Sequence, residues 1–214
     1  MTAPGSSRSE ELAAALAVLG SATVGESGGR PMAPRLRPVW RGAALAAPAC
    51  PVRCTSGDNL AIHVAVAAAA PGHALVVDVG DDRDYGYWGE VLTTAAQARG
   101  LVGLVIDGGV RDSAALEAHR FAVFSTTVAL RGAAKVAAGT VGAPVTVGGV
   151  EVCAGDWVVG DADGVTAVAA AAVEEVLAAG RARAEKEEGL FVALTEGRTT
   201  LELLALDASP VDIA

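Results

Sequence analysis

The residues best suited to chemistry fall in two short pairs, Gly89-Glu90 and Arg111-Asp112, with twenty residues between them. Glu90 and Asp112 carry hard oxygen donors, which suit Mg2+ or Mn2+ and suit soft metals poorly. The Arg111 guanidinium is a planar fork matched to a carboxylate or a polarised 2-oxo group. Each pair stands just before a segment of helical character, 91–99 and 113–119. Helix starts expose backbone N–H groups without intrahelical acceptors, together with a partial positive charge. The amides of Val91 and Leu92, which follow Gly89-Glu90, are therefore placed to cradle an anionic substrate group. A divalent ion held by such carboxylates acts as a Lewis acid and draws charge out of an enolate as a carbon–carbon bond breaks. The same residues also have structural uses: Asp112 as a helix cap, Glu90 as a favourable charge at a helix start, Arg111 as a surface cation.

Other polar residues form weaker sets. Asp58-Asn59 reads either as part of a site or as an Asx-type turn opening a helix. Arg83 and Asp84 sit in a charged loop, 80–87. His63, His73 and His119 are scattered and lack a serine or cysteine partner motif, which argues against a hydrolase triad. Gly108-Gly109 and Gly148-Gly149 match no phosphate-loop spacing. Asp161 and Asp163 bracket a tight turn without the spacing of a calcium loop. Cys50, Cys54 and Cys153 are odd in number, and the Cys-x3-Cys pair has no second pair to complete a zinc site. They read as structural thiols.

Positioning these pairs requires parallel strands that end where the helices begin. Apolar runs at 74–79, 101–106 and 121–127 alternate with the helical segments 91–99 and 113–119. Strand and helix in quick succession imply parallel crossovers, hence an α/β layer. In open sheets of this kind ligands bind beyond the carboxyl ends of the strands, where both polar pairs fall. Before this core the pattern predicts a helix from residue 8 ending at Gly20, a loose stretch over 25–38, a strand over 43–52 and a helix over 60–70. Asp107-Gly108-Gly109 reads as a turn. After the core come a hairpin over 145–152, strands at 157–160 and 164–168, and a long helix over 169–194 with weaknesses at Gly180 and Gly189. The tail, 199–214, is partly apolar and suited to packing on a neighbour. With no internal repeat or linker, 1–214 reads as one domain, its core at about 40–168 and a helical extension over 169–214.

Composition narrows the function class. With 52% hydrophobic and 19% charged residues the chain is not disordered as a whole. Its net charge of −9, from 16 basic and 25 acidic residues, opposes nucleic-acid binding, and it has no basic face. It lacks about 18 consecutive large apolar residues, so no membrane span is expected. Residues 1–9 lack the apolar centre of a signal peptide, which makes the cytoplasm the expected location.

Several segments together resemble one known family. Gly89-Glu90, twenty residues, then Arg111-Asp112 resembles the D-x20-R-D signature of the RraA-like class II pyruvate aldolases, which cleave 4-hydroxy-4-methyl-2-oxoglutarate. ARGLVGLVIDGGVRD (98–112), SGDNL (56–60), PGHALVVD (71–78) and GGVEVCAGDWVVGDADGV (148–165) are similar to that family's segments, in the same order. The resemblance implies a swivelling α/β/β domain with helical extensions at both ends, assembled as a homotrimer or hexamer with sites between subunits. It implies that Asp112 binds Mg2+ or Mn2+ and that Arg111 holds and polarises a 2-oxo acid. Glu90 replaces the signature's first aspartate in the metal's water shell, one methylene longer. Gly89, Val91, Leu92, Asp58 and Asn59 would line the substrate. An acidic residue from a neighbouring subunit's C-terminal helix would approach the site, with Glu187 first and Glu188 next, although both also suit a solvated helix face. The implied activity is retro-aldol cleavage to pyruvate, with oxaloacetate decarboxylation through the same enolate. Regulators that bind and inhibit an RNA-degrading enzyme share this fold, so that role is the alternative.

Overall fold

The computed structural model describes residues 8–212; the first seven residues of the segment read as lacking a leader, and the last two of the tail, lie outside it. Chain order gives helix α1 (Arg8–Glu26), strands β1 (Arg30–Pro31), β2 (Arg37–Pro38) and β3 (Leu45–Arg53), α2 (Leu60–Ala68), β4 (Ala74–Asp78), α3 (Glu90–Ala98), β5 (Gly103–Val110), α4 (Ser113–Ala118) and β6 (Ala122–Val128). There follow β7 (Thr140–Val141), β8 (Val145–Val147), β9 (Val150–Val152), β10 (Trp157–Gly160), β11 (Val165–Val168), a 3-10 turn (Ala170–Ala172), α5 (Val173–Thr195) and α6 (Thr200–Leu203).

The sheet order is β1-β11-β10-β3-β4-β5-β6-β2, with β7 also on β3 and β8-β9 as a separate hairpin. Strands β3, β4, β5 and β6 run parallel, joined by the expected helical crossovers. The flanking strands β10, β11, β1 and β2 are antiparallel. Strand β3 is the join: its first half pairs with β10 and its second half with β4. The central strands β4 and β5 are buried along almost their whole length because both faces are covered. Along β10, Val158 enters the main core, whereas Trp157 and Val159 point to a second core with Leu12, Leu16, Val173, Val176 and Leu177 of α1 and α5.

Four sequence expectations are corrected. Helix α1 does not stop at Gly20; Gly20 breaks its geometry (φ 77°, ψ 165°) and the helix resumes. The break lets the Ser21 amide and hydroxyl donate to the Asp161 carboxylate, both at 2.6 Å, and so ties α1 to the β10–β11 turn. Asp107-Gly108-Gly109 is not a turn, because β5 runs through it to Val110 with a register shift between Ile106 and Gly109. The strand persists because the 83–88 loop lies along it: Gly109 donates to Arg83 and Tyr87 donates to Gly109. The stretch 25–38 is not wholly irregular, since it holds β1 and β2. Helix α5 passes through Gly180 and Gly189 unbroken, and a Cβ at Gly180 would lie 2.5 Å from a Leu19 methyl. That glycine marks a close approach of α5 to α1 rather than a weakness.

Candidate functional site

Strand β5 ends at Val110, and the next two residues are Arg111 and Asp112. The Arg111 amide donates to the Trp88 carbonyl at 2.8 Å, so the two polar pairs of the sequence are stitched side by side. Asp112 holds a left-handed backbone (φ 58°, ψ 36°), a costly conformation for a residue with a side chain. This turn does not use Asp112 as a side-chain cap of α4. Instead its Oδ2 accepts the Glu90 amide at 3.1 Å and lies 3.7 Å from Arg111 Nε. Gly89 makes that approach possible, because a Cβ there would sit 2.4 Å from Asp112 Oδ2.

A cavity of about 170 Å³ opens here, lined by Asn59, His63, Gly86, Tyr87, Trp88, Gly89, Val91, Leu92, Arg111, Asp112 and Lys135. Trp88 is fully buried; it stacks on Phe121 at 5.8 Å and donates to Thr93 Oγ1 at 2.7 Å, which fixes the start of α3. The Glu90 amide is taken by Asp112, leaving the first-turn amides of Val91 and Leu92 for an anion. The Arg111 and Asp112 side chains are 44% and 42% exposed, accessible to a ligand from solvent. Larger cavities, about 360 Å³ beside Met32 and Thr166 and about 490 Å³ beside Leu45 and Pro71, bring together no comparable set of charged side chains.

The expected residues divide. Gly89, Val91, Leu92, Arg111, Asp112 and Asn59 converge on the cavity. Asp58 is buried, and its carboxylate accepts three amides, from Val136, Ala137 and Leu60. Burial raises its pKa, but those three bonds and nearby Lys135 outweigh it, so the net shift is downward. Its work is to pin the 134–137 segment to the start of α2. Glu90 is not among the lining residues, and its Oε1 lies 3.4 Å from His119 Nε2. Glu187 pairs with Arg183 at 2.9 Å on the exposed part of α5 and lines no part of this chain's own cavity. Glu188 is exposed on the same helix. Arg83 is bound to Asp107.

Five lining residues were missed: His63, Gly86, Tyr87, Trp88 and Lys135. His63 lies one helical turn after Asn59 on α2, a spacing that does place them together. Burial first, and then the charge of Lys135, lower its pKa despite an opposing pull from Asp58, so the imidazole favours its neutral form. His63 Nε2 and Asn59 Oδ1 are both buried without a hydrogen-bond partner. Such atoms cost stability unless a ligand or water satisfies them. Lys135 arrives from the loop after β6, and no local pattern announces it.

A family model described as Aldolase/RraA, of the RraA-like family, matches residues 17–167. The chain belongs to the RraA-like family. A Halalkalibacterium halodurans protein named "Putative 4-hydroxy-4-methyl-2-oxoglutarate aldolase" is 32% identical over 161 residues, covering 75% of this chain and 77% of its own length. An uncharacterized protein from Pseudomonas syringae pv. tomato superposes with a TM-score of 0.80 at 22% identity, over 93% of this chain and 96% of its own. The RNA-processing inhibitor RraA from Thermus thermophilis superposes with a TM-score of 0.59 at 25% identity, over 77% and 93%. The α/β architecture with helices at both ends is the RraA fold.

Among the described residues, no three His, Cys, Asp or Glu side chains of this chain come together as a metal cage. A Mg2+ or Mn2+ ion does not require such a cage, since these ions commonly take one or two carboxylates and complete their shell with water and substrate oxygens. Asp112, half exposed and short of partners, fits the direct ligand. None of the described helices is long and apolar enough to cross a membrane.

Proposed function

We propose that this chain is a divalent-metal-dependent lyase that cleaves 4-hydroxy-2-oxo acids to pyruvate, and that it also decarboxylates oxaloacetate. The observation that carries this reading is the Arg111-Asp112 pair, set on a left-handed turn against the start of α3. Arg111 and the Val91 and Leu92 amides bind the 2-oxo carboxylate end. Asp112 would hold Mg2+ or Mn2+, with Glu90 as the second carboxylate nearby; bound there, the ion would supply Lewis-acid stabilisation of an enolate. Asn59, His63 and Lys135 offer polar atoms to the rest of the substrate. A water in the cleft takes the C4 hydroxyl proton, a carbonyl forms at C4 as the C3–C4 bond breaks, and the electron pair of that bond becomes the pyruvate enolate. Arg111 stabilises that developing charge, and protonation at C3 completes the product. The relative's name as an aldolase supports the reading.

The proposed assembly is a homotrimer or hexamer in the cytoplasm, with Glu187 of one subunit approaching the cleft of the next. The likeness to the RNA-processing inhibitor RraA supports a second reading, a regulator that binds an RNA-degrading enzyme. Pyruvate release from oxaloacetate by purified protein separates the two. Release with Mg2+ or Mn2+ that EDTA abolishes is expected; no release with either ion would overturn the lyase and favour the regulator.

A further inference from the structure

The cavity holds two polar atoms that the folded chain leaves without a bond. Asn59 stands at the N-cap position of α2, where an asparagine side chain commonly accepts a backbone N–H of the first turn. Here it makes no such bond, and Asp58 takes the Leu60 amide instead. Asn59 Nδ2 donates to the Tyr87 carbonyl at 2.8 Å. A carbonyl can only accept, so this bond fixes which way the amide points. Asn59 Oδ1 is therefore the free end, an acceptor on a residue only 5% exposed, with no partner among the described residues. One turn along α2, His63 Nε2 is likewise buried and without a partner. Both residues line the cavity that also holds Arg111. Buried polar atoms of this kind cost stability unless something else completes them.

We propose that Asn59 and His63 form the subsite for the C4 hydroxyl of a 4-hydroxy-2-oxo acid, and so are specificity-determining residues for cleavage over decarboxylation. An alcohol both donates and accepts a hydrogen bond, and the pair serves both halves. His63 Nε2, carrying its hydrogen, donates to the hydroxyl oxygen. Asn59 Oδ1 accepts a hydrogen from the water that takes the hydroxyl proton, which turns a lone pair of that water toward the substrate. The proton leaves with the water to solvent. Oxaloacetate has no C4 hydroxyl: its ionised C4 carboxylate leaves as CO2, and the electron pair of the broken C3–C4 bond forms the same enolate without a proton acceptor. Only cleavage calls on this pair. The inference rests on the reading of this cleft as a lyase site for 2-oxo acids.

The test compares kcat/KM for 4-hydroxy-4-methyl-2-oxoglutarate and for oxaloacetate, both read as pyruvate release by the full chain with Mg2+. His63→Leu keeps most of the bulk and loses the donor. It should lower cleavage about tenfold more than decarboxylation, the worth of one hydrogen bond left unmade in a buried site. His63→Gln, whose amide can donate from a similar position, should recover most of that difference. Asn59→Ala should move the ratio in the same direction, but it also cuts the tie to Tyr87, so His63→Leu is the deciding variant. Equal losses of both activities in His63→Leu, or cleavage that survives it, would overturn the subsite and leave the lyase standing. Decarboxylation without cleavage by the unaltered protein would overturn the subsite too. Pyruvate release from neither substrate would remove the lyase reading, and this inference with it.

Discussion

Asp107 and Asp112 stand five residues apart at the end of the same strand and live in opposite surroundings. Asp107 is buried and accepts four N–H groups: two from Arg35, one from Arg83 and one from the Gly148 backbone. It joins the chain before β2, the 83–88 loop and the β8–β9 hairpin at one point. Asp112 is half exposed, accepts one amide, and sits on a left-handed backbone. A carboxylate saturated by its own chain can only hold structure, whereas one kept short of partners has free lone pairs for a ligand. Asp58 repeats the first pattern with three amides, where the motif around it left a site role and a turn equally open.

The comparison breaks most sharply at Arg111. Arg111→Ala should lower turnover by about 10²–10³-fold, the cost of losing one donor to a developing oxyanion, while the urea midpoint stays unchanged. A steady-state assay with oxaloacetate beside an unfolding curve checks both halves; full activity would remove Arg111 from the chemistry. Asp107→Ala should do the reverse. Leaving two arginines facing a vacated site should destabilise by about 2–3 kcal/mol, below the figure for a fully buried pair because both arginines are partly exposed. Urea denaturation measures it, and a change below about 0.5 kcal/mol would make Asp107 an ordinary surface residue.

The smallest effect concerns pH. For both Asp58 and Asp107 burial raises the pKa, but the donated N–H groups outweigh it and the net shift is downward. A lowered folded-state pKa contributes stability above the ordinary aspartate value and loses it as pH falls through the folded value. The urea midpoint should therefore fall between about pH 5 and pH 2, and Asp58→Asn should flatten that decline. An unchanged slope in Asp58→Asn would mean that its three amides do not favour the ionised form.

Much of this arrangement was legible in the sequence. The apolar runs of β4, β5 and β6 and the polar pairs at the starts of α3 and α4 located the cleft, because strand length and helix onset are set by nearby residues. The helix near residue 8 and the strand over 157–160 were legible for the same reason. Gly108-Gly109 misled, since paired glycines signal a turn locally and only the 83–88 loop lying along β5 keeps them extended. Gly20 misled in the same way: the chain resumes its helix because Asp161, far along the sequence, receives Ser21. Lys135 and the His119–Glu90 contact had no local signal.

By itself, then, the sequence determined which residue types could do chemistry and at which strand ends they would stand, because periodicity and helix starts are properties of neighbours. The tertiary structure decided which of those carboxylates remain available. Asp58 and Asp107 are saturated by amides and guanidinium groups brought from distant segments, while Asp112 is left with a single amide from the start of α3 and the neighbouring Arg111 at 3.7 Å. That difference is a count of partners, and partners drawn from across the chain exist only once it has folded.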